Sequence, residues 1–300
     1  MSYKSGFIAI VGRPNAGKST LMNALLGEKV AIMSDKPNTT RNNIAGILTE
    51  SDVQYVFMDT PGIHKPQQQL GRILNKNAYT AMEDCDMVAW IIDASQKFGP
   101  GDEFILNRIQ DLHKPVLLLV NKVDKISKET LLNTLLSWQK RFDFNEIVPI
   151  SALEKNNLEE LLLTIKGYLP EGGPLYPEEM ISDHDLNFQL CEIVREKVLF
   201  KTEEEIPHSV AVVLENKEEE DGTLYLSFVI VVDRPSQKGI LIGKQGSMIK
   251  DIRIAAQREI RKKLSRPVRL ELYVRVEKNW RNHQQKLKEF GLDELDEGIE

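Results

Sequence analysis

The sequence has few cysteines and no long apolar run. Cys85 and Cys191 lie far apart, so neither a disulfide framework nor a thiolate metal site is expected, and a reducing compartment is indicated. The longest apolar runs, Val116–Val120 and Val229–Val232, are strand-sized and well below the roughly 18 residues that span a bilayer. The N-terminus enters a strand pattern without the apolar stretch and cleavage site of a signal peptide. We therefore expect a cytoplasmic protein.

Histidine is also scarce, with five in the chain. These histidines show no spacing that suits metal ligation, so we predict no zinc site. They are His64, His113, His184, His208 and His283.

The net charge of −6 at pH 7 conceals a reversal of sign along the second half. Residues 234–288 hold 16 Lys and Arg against four acidic residues. Residues 289–300 hold six acidic residues and no basic one. A basic block of this size is typical of proteins that bind a phosphate backbone, although a solvated basic face is the alternative. The block therefore favours a nucleic-acid partner for the second half.

The length of 300 residues and a change of pattern near the middle predict two domains. Residues 1–170 alternate β-type runs with longer helical patterns, which predicts an α/β domain with a mostly parallel sheet and helices on both faces. A stretch rich in Pro and Gly makes 171–184 the predicted linker. Residues 185–300 form the predicted second domain, which ends in an acidic tail. We expect each domain to have its own hydrophobic core.

The strands of the first domain are predicted at 7–11, 53–58, 87–93, 116–120 and 147–150. The second domain has the order helix, strand, strand, helix, helix, strand, which predicts a small α+β domain. Its first helix is predicted at 185–200, its strands at 209–216, 223–232 and 268–276, and its other helices on either side of 243–246. The charged residues 217–222 are predicted to form the turn between the first two of these strands.

The segment after the first predicted strand matches the phosphate-binding loop and leads into a helix. Its glycines allow backbone N–H groups to surround a β-phosphate, Lys18 supplies a cation for the β- and γ-phosphates, and the Ser19 hydroxyl can bind Mg²⁺. Lys18 and Ser19 are therefore predicted catalytic residues. The predicted nucleotide contacts are Gly12, Arg13, Pro14, Asn15, Ala16, Gly17, Lys18, Ser19 and Thr20.

An Asn-Lys-x-Asp sequence follows the buried strand at 116–120, where ligands of open α/β sheets bind. The Asp124 carboxylate can accept two hydrogen bonds from the N1 and N2 donors of guanine, which adenine lacks. Guanine is therefore the predicted base. The predicted base contacts are Asn121, Lys122, Val123 and Asp124, with Ser151, Ala152 and Leu153 near the guanine oxygen.

The segment after the strand at 53–58 is predicted to meet Mg²⁺ and the γ-phosphate. Asp59 can hold the metal ion through water, and the Gly62 N–H can donate to the γ-phosphate. Ras-like enzymes carry a water-orienting glutamine after this glycine, but Ile63 stands here, so other groups must hold the attacking water and slow turnover is expected. His64 invites interpretation as a general base, with a surface-loop histidine as the favoured alternative. The predicted contacts are Asp59, Thr60, Pro61, Gly62 and Ile63.

A polar stretch upstream, 38–41, contains two adjacent threonines. One of them is expected to close over Mg²⁺ and the γ-phosphate. Thr40 is favoured because it directly precedes Arg41, and Thr39 is the alternative. Both this stretch and the segment at 59–62 are predicted to switch between ordered and disordered states, because each depends on a phosphate that hydrolysis removes.

A Gly-x-x-Gly sequence lies between two predicted helices inside the basic block. A loop of this kind clamps the backbone of about four unstacked nucleotides in KH domains. Its glycines allow phosphates to approach, and the helix N-termini favour their charge. The predicted RNA-binding residues are Ile242, Gly243, Lys244, Gln245, Gly246, Lys250 and Arg253. Core packing is expected for most of the nearby apolar residues, with contact to bases as the alternative: Ile240, Leu241, Ile242, Ile249 and Ile252.

Together these motifs resemble those of the Era family of bacterial GTPases, of the Era/TrmE type with a C-terminal KH domain. The resemblance covers nearly the whole chain. It rests on GRPNAGKS, NTTR, DTPG, NKVD and SAL in the first half, and on EIVREK (192–197), IPHSV (206–210) and GKQG (243–246) in the second.

The resemblance implies a P-loop GTPase domain followed by a KH domain of type II. It implies a GTP-hydrolysing switch that binds 16S ribosomal RNA near its 3′ end and assists assembly of the 30S subunit. Mg²⁺ is implied, held by Ser19, Thr40 and, through water, Asp59, and K⁺ is suggested, with Asn15 among its ligands. Expected partners are GTP, GDP, 16S ribosomal RNA and 30S precursors. We expect a monomer, cytoplasmic and in part peripherally bound at the inner face of the cell membrane.

Two other functions stay open. A passive RNA-binding or scaffold protein with a degenerate GTPase fold fits the second half, but the intact Lys18, Asp59, Asn121 and Asp124 weigh against it. A GTPase of the large ribosomal subunit or of tRNA modification shares the first half. Only the residues from the linker onwards distinguish that function.

Overall fold

The computed structural model describes residues 2–34, 36, 39–63, 68–203 and 205–292, without the side chain of His208. Asn38, His64 and the acidic tail beyond residue 292 lie outside the described residues, so the expectations for them stay predictions. None of the helices among the described residues is long and apolar enough to cross a membrane.

Six strands form the sheet of the first half: β1 (Lys4–Val11), β2 (Ile44–Glu50), β3 (Val53–Asp59), β4 (Met87–Asp93), β5 (Val116–Asn121) and β6 (Glu146–Pro149). Their order is β2-β3-β1-β4-β5-β6, and only β2 runs antiparallel to its neighbour. The predicted mostly parallel sheet is confirmed, and five strands overlap the predicted ones. β2 was not among the predicted strands. It contains Gly46, which packs closely on the adjacent helix: a Cβ at this position would lie 2.7 Å from Cδ1 of Leu26.

Helices cover both faces of this sheet, as predicted. They are α1 (Lys18–Leu26), α2 (Gln69–Asp84), α3 (Pro100–Ile109), α4 (Lys128–Gln139) and α5 (Leu158–Tyr168). α1 and α5 pack on one face, and α2, α3 and α4 pack on the other. Strands β4 and β5 are buried between the two layers, as suits parallel strands with apolar residues on both faces. The carboxyl ends of the parallel strands therefore meet at one edge of the sheet, where the predicted nucleotide motifs follow them.

The second half consists of α6 (Leu186–Lys201), α7 (Ile206–Ser209), β7 (Ala211–Glu220), β8 (Thr223–Val232), α8 (Pro235–Ile242), α9 (Ser247–Leu264), β9 (Val268–Val276) and α10 (Gln284–Glu289). β8 is central, antiparallel to β7 and parallel to β9. α6, α8 and α9 pack on one face of this sheet. The predicted order of helices and strands is confirmed, with α7 and α10 as short additions.

The hairpin of the second half differs from its prediction. Ser209 ends α7 instead of beginning a strand, and residues 217–220 continue β7 instead of forming a charged turn. The turn is made by Asp221 and Gly222, with φ of 47° and 72°. Two residues with positive φ form the turn that matches the twist of a hairpin, and Asp-Gly is a preferred pair for it. The acidic residues of β7 are exposed on an edge strand, where charge opposes pairing with other chains.

The predicted linker at 171–184 lies along the outer edge of the first sheet. The backbone N–H of Ile47 donates to the carbonyl of Ile181 at 2.9 Å. The side chain of Gln54 donates to the carbonyl of Tyr176 and accepts from its N–H, both at 2.9 Å. The segment is therefore fixed against β2 and β3. The exact division into domains stays a prediction.

The two halves share apolar contacts. Ile32, from the first half, is 4% exposed and packs in the core of the second sheet. The other face of that sheet packs against α2. This shared cluster contains Leu70, Ile73, Leu74, Ala211, Val229, Val231, Trp280, Leu287 and Leu292. Each half has its own large core, as expected, and the shared cluster is an addition at the boundary, where α2 and the second sheet each present an apolar face to the other.

Replacing Trp280 with alanine is expected to destabilise the protein by about 3–5 kcal/mol, the range for large buried aromatic side chains. Trp280 is fully buried in the shared cluster, and its Nε1 donates to the carbonyl of Ser209 at 3.1 Å. The measurement is urea unfolding followed by circular dichroism. Leu163→Ala is the control, because Leu163 is 64% exposed and its truncation should change stability by less than about 0.5 kcal/mol. Equal effects of the two substitutions would contradict the shared cluster.

Candidate functional site

The segment between β1 and α1 turns sharply against neighbouring strands. Gly17 has φ 106°, and a Cβ there would lie 2.3 Å from Nδ2 of Asn121. A Cβ on Gly12 would lie 2.4 Å from the carbonyl oxygen of Ile91. Both positions therefore require glycine. The loop leads directly into α1, whose N-terminal N–H groups favour an anion.

Lys18 begins α1 and is only 6% exposed. Its Nζ donates to the carbonyls of Gly12 at 3.3 Å and Arg13 at 3.2 Å, so the amine lies within the curve of the loop. Burial lowers the pKa of Lys18, and the nearby charge of Asp59 raises it. The loop thus presents a cation and backbone N–H groups toward the same place, which is the arrangement that binds phosphates.

Ser19, Thr40 and Asp59 bring three side-chain oxygens together. Ser19 Oγ donates to Oδ2 of Asp59 at 2.7 Å. Thr40 Oγ1 lies 3.0 Å from Ser19 Oγ and donates to the same carboxylate oxygen at 3.2 Å. Thr39 lies outside this group, since its Oγ1 donates to the carbonyl of Lys36 at 2.6 Å. Oxygen ligands of this kind suit Mg²⁺.

The other carboxylate oxygen of Asp59, Oδ1, is buried and has no hydrogen-bond partner among the described residues. Burial raises the pKa of Asp59, while Lys18, Ser19 and Thr40 lower it. A buried, unpartnered carboxylate oxygen costs free energy unless a cation or a water meets it. The residues present therefore fit a divalent cation held beside the phosphate loop.

Asn121 and Asp124 are held at the end of β5. Asn121 Nδ2 donates to the carbonyl of Ala16 at 2.8 Å, and its Oδ1 accepts from the N–H of Ala152 at 3.0 Å. One oxygen of the exposed Asp124 carboxylate accepts from Ser151 Oγ at 2.6 Å. Asn121 thus joins three segments, and Ser151 orients a carboxylate at the surface. An oriented carboxylate can receive two N–H donors from one edge of a base.

Lys122 joins the base segment to the phosphate loop. Its Nζ donates to the carbonyl of Asn15 and to Oδ2 of Asp93, both at 2.7 Å. Arg13 points to a different partner, Asp102 at the start of α3, with 3.1 Å between Nη1 and Oδ2. The side chain of Arg13 therefore stabilises the loop from outside, while Lys122 fixes its tip.

Most of the predicted phosphate residues line one cleft: Pro14, Asn15, Gly17, Lys18, Ser19, Thr20, Thr39, Thr40 and Gly62. Three further lining residues carry no motif that would reveal them: Met33, Ser34 and Lys36. Thr60 and Ile63 are fully buried below the cleft, where Thr60 Oγ1 donates to the carbonyl of Ile10 at 2.8 Å. Leu153 is 68% exposed beside this segment.

The Gly-x-x-Gly segment connects α8 to α9 through one 3₁₀ turn. Gly243 has φ 72°, and a Cβ there would lie 2.7 Å from Cβ of Met248. Lys244 and Gln245 are exposed in the turn, and Lys250 is exposed in the first turn of α9. The backbone of the loop is therefore accessible to a phosphodiester, with two cations beside it.

The apolar residues around this loop divide between core and surface. Leu241 and Ile252 are fully buried, which confirms core packing for these two. Ile240 is 53% exposed, and Ile254, which no motif includes, is 42% exposed. The half-buried positions are Ile242, Ile249 and Arg253. Ile240 and Ile254 therefore leave an exposed aliphatic surface beside the Gly-x-x-Gly loop.

Comparison with known proteins covers both halves. The family model described as a 50S ribosome-binding GTPase matches residues 7–122, and the KH domain model matches residues 205–281. A crystal structure of Era in complex with MgGDPNP and nucleotides 1506–1542 of 16S ribosomal RNA is 43% identical, with a TM-score of 0.94, over 97% of this chain and 99% of that one. A structure of Aquifex aeolicus Era with a tyrosine-to-alanine substitution, bound to GDP·AlF4⁻, has the same identity, TM-score and coverage.

Asp59→Asn is expected to raise the Tm of the protein free of nucleotide and Mg²⁺ by roughly 2–4 °C, equivalent to about 1 kcal/mol. Because burial raises the pKa of Asp59, its contribution to stability falls as the pH rises through that pKa, and the neutral amide avoids this loss. The measurement is thermal unfolding at pH 7 in EDTA.

Asp93→Asn should act in the opposite direction. Burial alone would raise the pKa of Asp93, but hydrogen bonds from Lys122 and Ser95 lower it below the ordinary value. The charge of Asp93 therefore stabilises the fold at pH values above its pKa, and Asp93→Asn, which removes that charge, should lower the Tm at pH 7.

A lower Tm for Asp59→Asn at pH 7 would contradict the fit of Asp59 to a cation.

Proposed function

The chain belongs to the Era family of GTPases, and we propose that it is a GTP-hydrolysing switch which binds 16S ribosomal RNA near its 3′ end and assists assembly of the 30S subunit. The observation that carries the proposal is that one chain contains the convergent Ser19, Thr40 and Asp59 oxygens and an accessible Gly-x-x-Gly loop. The choice of RNA is supported by the relative of 43% identity that is bound to nucleotides 1506–1542 of 16S ribosomal RNA.

Hydrolysis breaks the bond between the γ-phosphorus and the bridging oxygen as water attacks in line, which gives GDP and phosphate. Lys18 and the N–H groups of the loop bind the β- and γ-phosphates and stabilise the charge that develops on them. Ser19, Thr40 and, through water, Asp59 hold Mg²⁺, which neutralises charge on the phosphate oxygens when bound. The N–H of Gly62 donates to the γ-phosphate.

The attacking water is oriented without a glutamine. Ile63 is fully buried and its side chain has no hydrogen-bonding group. Either backbone groups hold the water instead, or a K⁺ ion, for which Asn15 would be among the ligands, would supply the positive charge that orients it. Asn15 lines the phosphate cleft, and its carbonyl is held by Lys122 at 2.7 Å, which keeps this part of the loop in place. Slow turnover follows, as is usual for a switch.

RNA binds along the loop between α8 and α9. Lys244, Lys250 and Arg253 neutralise phosphates, and the glycines let the RNA backbone approach the protein backbone. Bases that leave the stack contact the exposed aliphatic surface at Ile240. The large-subunit name attaches to a family model that matches only residues 7–122, whereas the Era structures match both halves, so the small subunit is the preferred assignment.

The remaining partners and the location follow from this assignment. The protein acts on 30S precursors as a monomer in the cytoplasm. A fraction binds peripherally at the inner face of the cell membrane. Mass measurement of the purified protein and fractionation of cells test these two statements directly.

Asp124→Asn should change the preferred nucleotide from GTP to xanthosine triphosphate. The amide donates to the O2 of xanthine but no longer accepts from the N2 amine of guanine, so GTP affinity should fall by roughly 100-fold or more. Competition binding against a fluorescent nucleotide measures the change. Ser151→Ala should reduce GTP affinity less than Asp124→Asn does, because it removes the 2.6 Å hydrogen bond that orients Asp124 but keeps the carboxylate. Unchanged GTP preference in Asp124→Asn would remove this residue from base recognition.

Replacing Lys244 and Gln245 together with aspartate should weaken binding of an RNA with the 3′-terminal sequence of 16S ribosomal RNA by about tenfold or more, because two negative charges meet its phosphates. GTP hydrolysis without RNA should be unchanged. Wild-type affinity should decrease with salt with a log-log slope of about −0.7 per phosphate contact. Filter binding with the full chain measures the RNA affinity and its salt dependence, and phosphate release measures GTP hydrolysis.

The matched control replaces Gln285 and Lys288, both exposed on α10, with aspartate, which changes the net charge equally. It should leave RNA affinity near that of the wild type. Equal RNA binding by the loop variant and the wild type at physiological salt would show that this loop is not the clamp. Hydrolysis retained by Lys18→Ala would contradict the GTPase site.

A further inference from the structure

Two motifs of the second half serve neither the phosphates nor the RNA loop. They are EIVREK at 192–197 on α6 and IPHSV at 206–210, which contains α7. Both lie against the described residues between Ala31 and Arg41, called the switch I segment below. This segment contains Thr40, and it belongs to neither a helix nor a strand. Its position therefore depends on the contacts that it makes with the second half.

Arg41 makes two of these contacts. It is 4% exposed and directly follows Thr40. Its Nη2 donates to the carbonyl of Pro207 at 3.0 Å, and its Nη1 donates to the carbonyl of Val210. A buried charged donor that spans two carbonyls ties this residue firmly to the end of α7.

Arg195 holds the residue on the other side of Thr40. It is 3% exposed, and its Nη2 donates to the carbonyl of Thr39. The carboxylate of Glu192 accepts from its Nε at 2.6 Å and orients the side chain. The residues immediately before and after Thr40 are therefore both bound to the second half.

A third contact, at Lys29, offers a matched comparison. Lys29 Nζ contacts Glu196 and Glu259 of the second half, both at 2.6 Å. It therefore also joins the two halves through charge. However, it lies 11 residues before Thr40 in the sequence and outside the switch I segment. Its loss should loosen the interface without moving the Thr40 hydroxyl.

We propose that Arg41 is a positioning residue that places Thr40 in the Mg²⁺ site by anchoring it to the second half. Residues 192–197 and 206–210 are then the receptor of switch I. This inference rests on the proposed GTPase function and names how that site depends on the second half. Because binding free energies are reciprocal, a change at Thr40 on hydrolysis alters the placement of α6 and α7, and a change there alters the retention of Mg²⁺ and GTP.

The test measures how strongly Mg²⁺ slows dissociation of a fluorescent, non-hydrolysable GTP analogue from the full chain. The ratio of dissociation rates in EDTA and in Mg²⁺ reports the metal site without requiring hydrolysis. Arg41→Ala should reduce this ratio by about 10- to 100-fold, as expected when the support of a metal ligand is removed. The rate in EDTA should stay within about twofold of the wild type, since Lys18 and the loop are intact.

Arg41→Gln is the second variant, in case Arg41→Ala does not fold. Its amide can still donate to one of the two carbonyls, and it leaves no buried charge. It should also reduce the ratio. Lys29→Ala should keep the wild-type ratio. A wild-type ratio in Arg41→Gln, or an equal reduction in Lys29→Ala, would overturn the inference while leaving the GTPase function intact. That function is tested separately by Lys18→Ala, which should abolish hydrolysis.

Discussion

Burial of the Arg41 guanidinium constrains both halves of the molecule. The carbonyls of Pro207 and Val210 are its acceptors, so the residue after Thr40 cannot move without leaving a charge and two carbonyls unpaired. Thr40 contacts Ser19 and Asp59 on its other side. The oxygen cluster beside the phosphate loop and the arrangement of the second half are therefore parts of one packed structure.

The shared apolar cluster adds a second connection between the halves. α2, which follows the segment proposed to meet the γ-phosphate, packs through Ile73 and Leu74 on the face of the second sheet opposite α6, next to Trp280. The two segments expected to respond to the γ-phosphate thus both lead to the RNA-binding half, one through hydrogen bonds and one through apolar packing. This provides a physical route by which GTP and RNA influence each other.

The local chemistry of the site could be predicted from the sequence, but its connections could not. The phosphate loop, Asn121 and Asp124 could be recognised in the sequence because each motif follows a strand and has a fixed spacing that sets its geometry. The preference for Thr40 over Thr39 agrees with its place beside Ser19. In contrast, Arg41 and Pro207 are 166 positions apart, and no local pattern pairs them. β2 was missed because pairing with β3, rather than local composition, decides it. The turn at Asp221 was missed although its Asp-Gly pair is a local signal, because the charged residues before it were assigned to the turn instead of the strand.

Amide hydrogen exchange of the full chain, with Mg²⁺ and a non-hydrolysable GTP analogue or with GDP, tests the central claim most directly. Residues 192–197 and 206–210 belong to the second half, yet they bind the switch I segment. The account predicts slower exchange in both segments when the GTP analogue is bound. A nucleotide-dependent change confined to residues before 170, with both segments unaltered, would contradict it.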